Sequence, residues 1–159
     1  MPFQQLTYEF GTLLVAWERE QIVYLDFGLN VERARTYLAE ETDEGILPKD
    51  WQIAFDRYAE GDRQALDLLP CQLRVTPFAE QVLLALRQVP FGQTISYGEL
   101  AQMIGKPKAA RAVGGALNRN PIALIYPCHR VIGATGKMTG FASGIAHKEA
   151  LLAHEIGEN

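Results

Sequence analysis

Cysteine is scarce in this sequence: Cys71 and Cys128 are the only two in 159 residues. Two cannot build a disulfide framework, and they lack the paired spacing of a zinc site, so neither a metal nor any other cofactor is expected. A reducing environment would keep such thiols free, which makes the cytoplasm the expected address. Long apolar runs are missing too. No stretch approaches the roughly 18 residues that a spanning helix needs, and Met1 to Phe10 lacks the basic start and apolar core of a secretory signal. No membrane partner is expected. A strong net charge is also absent, the chain summing to −4. That balance conceals a division. Residues 1–75 hold seven Lys/Arg against fourteen Asp/Glu, a net −7, while residues 76–159 hold eight against five, a net +3. A polyanion would meet the second half.

The first half reads as a meander followed by helices. Leu6 to Phe10, Thr12 to Trp17 and Gln21 to Phe27 are rich in β-branched and aromatic residues, with Gly11 and the charged turn Glu18-Arg19-Glu20 between them. Val31 to Glu41 reads as a helix with Asn30 as its cap, Thr42 to Gly45 as an acidic loop, and Trp51 to Glu60 as a second helix ended by Gly61. Ala65 to Leu69 reads as a return to the sheet. Nothing in these residues suggests chemistry, and a scaffold is the expectation.

Pro70 to Thr76 marks the boundary, giving domains at 1–70 and 71–159. Thr76-Pro77 starts a helix, a capping hydroxyl before a proline at the first helical position, and Phe78, Val82, Leu83 and Leu86 recur at helical spacing until Pro90. Ser96-Tyr97-Gly98-Glu99 has the capping-box pattern, with Leu100, Met103 and Ile104 as the apolar face and Gly105 as the stop. A further helix runs from Ala109 to about Asn118. Two short helices joined by a tight glycine-containing turn describe either a helix-turn-helix or an ordinary pair of core helices.

The second of these helices is built from small residues: Ala109, Ala110, Ala112, Gly114, Gly115 and Ala116. Two glycines cost a helix about 1 kcal/mol each relative to alanine. Close approach of a partner would offset that, the partner being a neighbouring helix or a nucleic-acid groove. In the second case Arg111 is the one long probe, while Lys106, Lys108 and Arg119 meet phosphates. So small a surface reads few base edges and suits DNA of any sequence.

Asn118 to Pro121 turns the chain, and the default role of Asn120 is structural. Ile122 to Tyr126 reads as a buried strand that delivers Pro127-Cys128-His129-Arg130-Val131. Proline holds Tyr126 extended and sets Cys128 at a corner. By itself Cys128 is equally a small buried thiol or a reactive one. On an extended chain Arg130 points away from Cys128, as a structural ion-pair partner. The glycine-punctuated loop from Gly133 to Gly144 reads as a lid or pocket wall. The last helix, about Ala146 to Ile156, turns Leu151 and Leu152 inward, and its His147, His154 and Glu155 read as solvated.

Residues 76–156 resemble the O6-alkylguanine-DNA alkyltransferases, also called methylated-DNA–protein-cysteine methyltransferases. The resemblance rests on Phe91-Gly92-Gln93-Thr94-Ile95-Ser96-Tyr97, Ala110 to Ala116, Asn120-Pro121, Pro127 to Val131, and Lys148-Glu149 through Leu151-Leu152 to Glu155, all in order and register. It implies an α/β (α+β) chain: a small ribonuclease-H-like sheet-plus-helix domain, then a mostly helical winged helix-turn-helix domain carrying the site. It implies a monomer that takes an alkyl group irreversibly from O6-alkylguanine in double-stranded DNA onto Cys128. His129 is then the base, acting through water; Glu155 orients it, and Asn120 holds the turn beneath. The target base must be flipped out of the stack. By resemblance Arg111 fills its place from the minor groove, with Ala109, Ala110, Gly114, Gly115, Lys108 and Arg119 along the DNA. Tyr97, Val131, Met138, Phe141, Ala142 and Ser143 form the pocket. Phe141 stands where the family often has tyrosine, and Ser143 where it often has glycine, so bulky adducts such as benzyl are expected to be accepted less well than methyl.

Three other classes compete. A helix-turn-helix regulator needs base-reading side chains, which Ala109 to Ala116 does not offer. A cysteine hydrolase would turn over, whereas a thioether has no route to hydrolysis. A catalytically silent lesion binder would lack the nucleophile, and Cys128 is present.

Overall fold

The computed structural model describes residues 1–28, 31–38, 42–133 and 144–157. The chain is a mixed α/β protein that parts into two compact units, residues 1–74 with 121–125, and residues 75–120 with 126–159.

In the first unit, β1 (Pro2–Tyr8), β2 (Gly11–Glu18) and β3 (Gln21–Phe27) form the expected antiparallel meander. The first strand begins earlier than its sequence pattern suggests, and Glu9 and Phe10 fall in the turn. The charged hairpin places Arg19 and Glu20 at φ 50° and 62°, the left-handed geometry that matches the twist of a two-residue turn. α1 (Val31–Tyr37) covers one face, where Leu14, Ala16, Tyr24 and Ala34 pack with Phe3 and Tyr37. Its expected cap, Asn30, and its expected end, Glu41, lie outside the described residues. α2 (Lys49–Ala59) buries Trp51, Phe55 and Tyr58. Trp51 meets Trp17 edge-on, and Tyr8 donates to Asp56 at 2.7 Å.

Two expectations fail in this unit. The acidic loop contains β4 (Asp43–Glu44), a two-residue strand parallel to β1, so the sheet order is β3-β2-β1-β4. Ala65 to Leu68 forms turns instead of a strand, and this segment next meets the sheet at Cys71, bridged to Ile22. A strand of two residues leaves no periodicity to read.

In the second unit, α3 (Pro77–Leu86), α4 (Tyr97–Met103) and α5 (Ala110–Asn118) pack on one another, with α6 (Ile145–Ile156) completing it. Thr76 caps α3 through its side chain, which accepts from the Ala79 amide at 3.2 Å. Ser96 and Glu99 close the capping box of α4. Leu100 is buried, but Met103 is exposed, and Ala101 takes the inward place expected of it. β5 (Ile95–Ser96) pairs in parallel with β6 (Val131–Ile132), a ladder too short to be read beforehand.

The largest departure lies just before Cys128. Ile122 to Ile125 is fully buried, as its composition demands, but it is not a strand. One bridge, Ile122 to Leu25, is followed by a turn in which Leu124 takes φ 70°. The backbone bonds of that bridge, Leu25 N to Pro121 O and Ala123 N to Leu25 O, are both 2.9 Å. A left-handed conformation costs a side chain with a Cβ about 1–2 kcal/mol; here burial of four apolar side chains holds it.

Candidate active site

Cys128, His129 and Arg130 form a single 3-10 turn. An extended strand was expected, and the difference changes which way the side chains point. Pro127 precedes the turn at φ −81°, the Cys128 amide bonds the Tyr126 carbonyl at 2.8 Å, and the Arg130 amide bonds that of Pro127 at 3.0 Å. Asn120 supports the approach: its buried amide nitrogen donates to the Tyr126 carbonyl at 2.9 Å. Arg87, at the end of α3, lies 5.2 Å from the Tyr126 ring, in cation–π range.

The turn faces α6, whose buried side includes Lys148, Leu151, Leu152 and Glu155. These stand at i, i+3, i+4 and i+7, one helical stripe. Glu155 is therefore not solvated, as its place on a terminal helix first suggested, and neither is His154, whose ring meets Phe91 edge-on at 6.1 Å. Glu155 Oε2 is 2.7 Å from His129 Nε2. Arg130 donates from Nε to Oε1 at 2.9 Å and from Nη2 to Oε2 at 3.0 Å, confirming it as an ion-pair partner. Its remaining Nη1 donates to the Val89 carbonyl at 2.7 Å. The Gly92 amide adds a longer bond to Glu155 Oε1 at 3.3 Å.

Burial works against charge on Glu155, yet His129 and Arg130 outweigh it and hold the carboxyl well below the usual range. It is an anion that can only accept. His129 consequently carries its proton on Nε2 and keeps a lone pair on Nδ1. Burial also lowers the His129 pKa against the opposing pull of Glu155, with smaller contributions from Arg130 and Lys148. The ring is neutral at pH 7. Nδ1 is buried and has no hydrogen-bond partner among the described residues, a condition that buried nitrogens rarely tolerate without a role. A neutral imidazole with an open lone pair, one residue along the chain from a thiol, is chemically able to take a proton.

Lys148 is fully buried and donates to the Val131 carbonyl. Burial lowers its pKa, opposed by attraction to Cys128. The sequence reading assigned it no role. The available signal was a lysine on the same stripe as two inward leucines. Val131 spends its amide on the Cys128 carbonyl and lends its own carbonyl to Lys148, which leaves that oxygen one further lone pair.

The other expected residues fall into two groups. Met138, Phe141, Ala142 and Ser143 lie outside the described residues. Tyr97 opens α4, half-buried, and an added Cβ at Gly114 would lie 3.8 Å from its ring. Arg111, Gly114 and Gly115 share one face of α5, with Arg111 and Lys108 exposed and Ala109 and Ala110 half-buried. Arg119 is exposed with its guanidinium folded toward Gly115, 3.4 Å from where a Cβ would stand. Both glycines could accept a methyl group without a clash, so packing within the unit does not require them. Among the described residues no group of three or more His, Cys, Asp or Glu could hold a metal ion, and no helix is long and apolar enough to cross a membrane.

The family described as "6-O-methylguanine DNA methyltransferase, DNA binding domain" matches residues 77–157. The chain is 40% identical over 154 residues to the methylated-DNA–protein-cysteine methyltransferase of Methanosarcina acetivorans, covering 91% of this chain and 92% of that one. It is similar in structure to the O6-methylguanine methyltransferase of Mycobacterium tuberculosis, with TM-score 0.82, 37% identity and coverage of 99% and 93%. The same organism's OGT in complex with DNA gives TM-score 0.81, 36% identity and coverage of 99% and 94%. A cysteine turn backed by a buried His129–Glu155 pair thus stands in a chain that belongs to the methylated-DNA–protein-cysteine methyltransferase family.

Proposed function

We propose that this protein repairs DNA by transferring the alkyl group of O6-alkylguanine, chiefly methyl, to its own Cys128 in a single irreversible event. The observation that carries the reading is the buried His129 Nδ1, which has no partner among the described residues while Nε2 is bonded to Glu155. Through one water, Nδ1 takes the thiol proton of Cys128. The sulfur then attacks the alkyl carbon in line, forming the S–C bond as the C–O bond breaks. The electron pair leaves with guanine, and the proton taken up by His129 balances its charge. An ordinary thiol, with a pKa near 8.5, needs such a base to act at neutral pH.

The same proposal makes a ribonuclease-H-like scaffold of the first unit, expected at residues 1–70 and extended by Cys71 to Arg74 and Pro121 to Ile125, and a winged helix-turn-helix domain of the second, which meets the minor groove of double-stranded DNA as a monomer. Support comes from α5. Gly114 and Gly115 cost helix stability that no contact within the unit explains. A groove pressed against that face explains them, with Arg111 as the intruding side chain and Lys108 and Arg119 at phosphates. Tyr97, Val131, Met138, Phe141, Ala142 and Ser143 form the pocket for the flipped base. Two cysteines not joined in a disulfide suit a reducing cytoplasm.

Mixing the protein with duplex DNA containing one O6-methylguanine, then measuring intact mass and mapping peptides, tests this directly. The expected result is one methyl per chain, on Cys128, with guanine restored. A protein that binds the lesion and stays unmodified would be a recognition protein instead. In the Cys128→Ala variant the methyl gain disappears.

A further inference from the structure

The turn that joins α3 to β5 touches the polar cluster at more points than a connector requires. Val89 accepts from Arg130 Nη1 at 2.7 Å, and the Phe91 ring lies 5.9 Å from the same guanidinium. Phe91 also meets the His154 ring of α6. Gly92 takes φ 83°, which L side chains rarely adopt, and a Cβ there would stand 3.3 Å from the Glu155 backbone carbonyl. Its amide points at Glu155 Oε1. Three residues of one turn therefore hold Arg130, Glu155 and the helix that carries Glu155. The same segment continues through Ile95 and Ser96, which pair with β6, into Tyr97.

We propose that this turn is a positioning element of the transfer reaction, and that Gly92 acts through Glu155 to set how strongly His129 holds a proton. The inference rests on the function proposed above. Glu155 has two oxygens and receives four donors: His129 Nε2, Arg130 Nε and Nη2, and the Gly92 amide. Each donor draws on the same negative charge. What Arg130 and Gly92 take is withheld from His129, so the imidazole stays neutral and Nδ1 stays open at working pH. The other charged groups acting on His129 are Lys148, from α6, and Arg130 beside it, and both oppose its protonation. Glycine suits position 92, because the amide reaches Glu155 from a positive φ and a Cβ would press to within 3.3 Å of the Glu155 backbone carbonyl.

The test is the pH dependence of single-turnover methyl transfer from duplex DNA carrying O6-methylguanine. It compares the wild-type chain, Gly92→Ala, and a semisynthetic chain with glycolate at position 92, which replaces the amide N–H by an ester oxygen. The ester keeps the backbone freedom and adds no Cβ, so it isolates the donor. Losing a hydrogen bond to a charged group, at the low end of the range because this one is 3.3 Å long, is expected to slow transfer about tenfold at neutral pH. In both variants the acid limb of the profile moves to higher pH, since Glu155 then attracts the imidazolium more strongly. Arg130→Gln should move the limb further in the same direction. A merely structural turn would lower the fraction of active molecules, read from the methyl gained per chain, and leave the midpoint in place. Either that result or an unchanged profile in the ester chain overturns the inference. Failure of the wild-type chain to gain any methyl would instead overturn the function on which it rests.

Discussion

Each unit pairs an arginine with a buried carboxylate, and the two pairs serve different ends. In the first, Asp26 accepts from the Tyr24 hydroxyl at 2.9 Å and from the Phe27 amide at 2.8 Å, with Arg33 of α1 3.0 Å away. The result ties α1 to β3. In the second, Glu155 and Arg130 are both buried, and their network runs to His129, where it stops at a nitrogen with no partner among the described residues. Burial of charge is therefore no mark of chemistry. The mark is a polar network that ends on an open lone pair in the same turn as a candidate nucleophile.

Substitutions at the two pairs should separate stability from activity. Glu155→Gln removes the anion that fixes the His129 tautomer, and single-turnover transfer should fall by about a hundredfold or more, the scale of general-base catalysis. Rapid-quench kinetics would measure it; a loss below tenfold would make the pair structural. Asp26→Ala should do the opposite. Breaking a buried pair costs about 3 kcal/mol or more, visible in urea denaturation, while the folded fraction still gains one methyl per chain at the wild-type rate. A slowed rate there would erase the distinction between the pairs.

Extremes of pH should weaken the two clusters from opposite sides. Burial lowers the pKa of His129 in the folded chain. Its contribution is present above the ordinary value of about 6.5 and is lost as pH falls from there toward the folded value. Tyr24 is shifted the other way, raised by burial and then by Asp26. Its contribution is present below about pH 10 and is lost as pH rises above that. Urea midpoints at pH 5.5, 7.5 and 10.5, in the wild-type chain and in Tyr24→Phe and His129→Gln, would read these directions. The smallest effect is expected on α5. Gly114→Ala should stabilise the fold by up to about 1 kcal/mol, because the new methyl meets the Tyr97 ring at an ordinary distance. The same change should weaken binding to duplex DNA, measured by fluorescence anisotropy. Unchanged affinity would remove α5 from the interface.

Local rules made much of this legible. Thr76-Pro77 and Ser96 to Glu99 declare helix starts through chemistry contained in four residues, and both caps form as written. The meander showed in its alternation and turns. What failed depended on distant partners. Ile122 to Ile125 announced burial correctly, but burial alone does not choose between a strand and a turn, and no propensity points to Leu124 at φ 70°. β4, β5 and β6 are two residues each and exist only because a neighbouring strand lies alongside. At the site, Cys128 and His129 drew attention as a dipeptide. Lys148 and Gly92 stood in the elements that carry the resemblance but suggested no role, since a charged helix residue and a loop glycine are individually ordinary, and their partners lie far along the chain.

The five residues Pro121 to Ile125 belong to the first unit although the chain on both sides belongs to the second. Neither unit is thus a continuous stretch of sequence, and the polypeptide is stitched instead of beaded. A fragment cut at residue 75 would carry those five residues away from Leu25, baring Ile122, Leu124 and Ile125 immediately upstream of the reactive turn. Swapping one half between relatives by a single crossover would likewise pair a borrowed stitch with a foreign strand. The two halves are inherited as one object, and a minimal repair module from this chain would have to keep β3 or redesign the loop that leans on it.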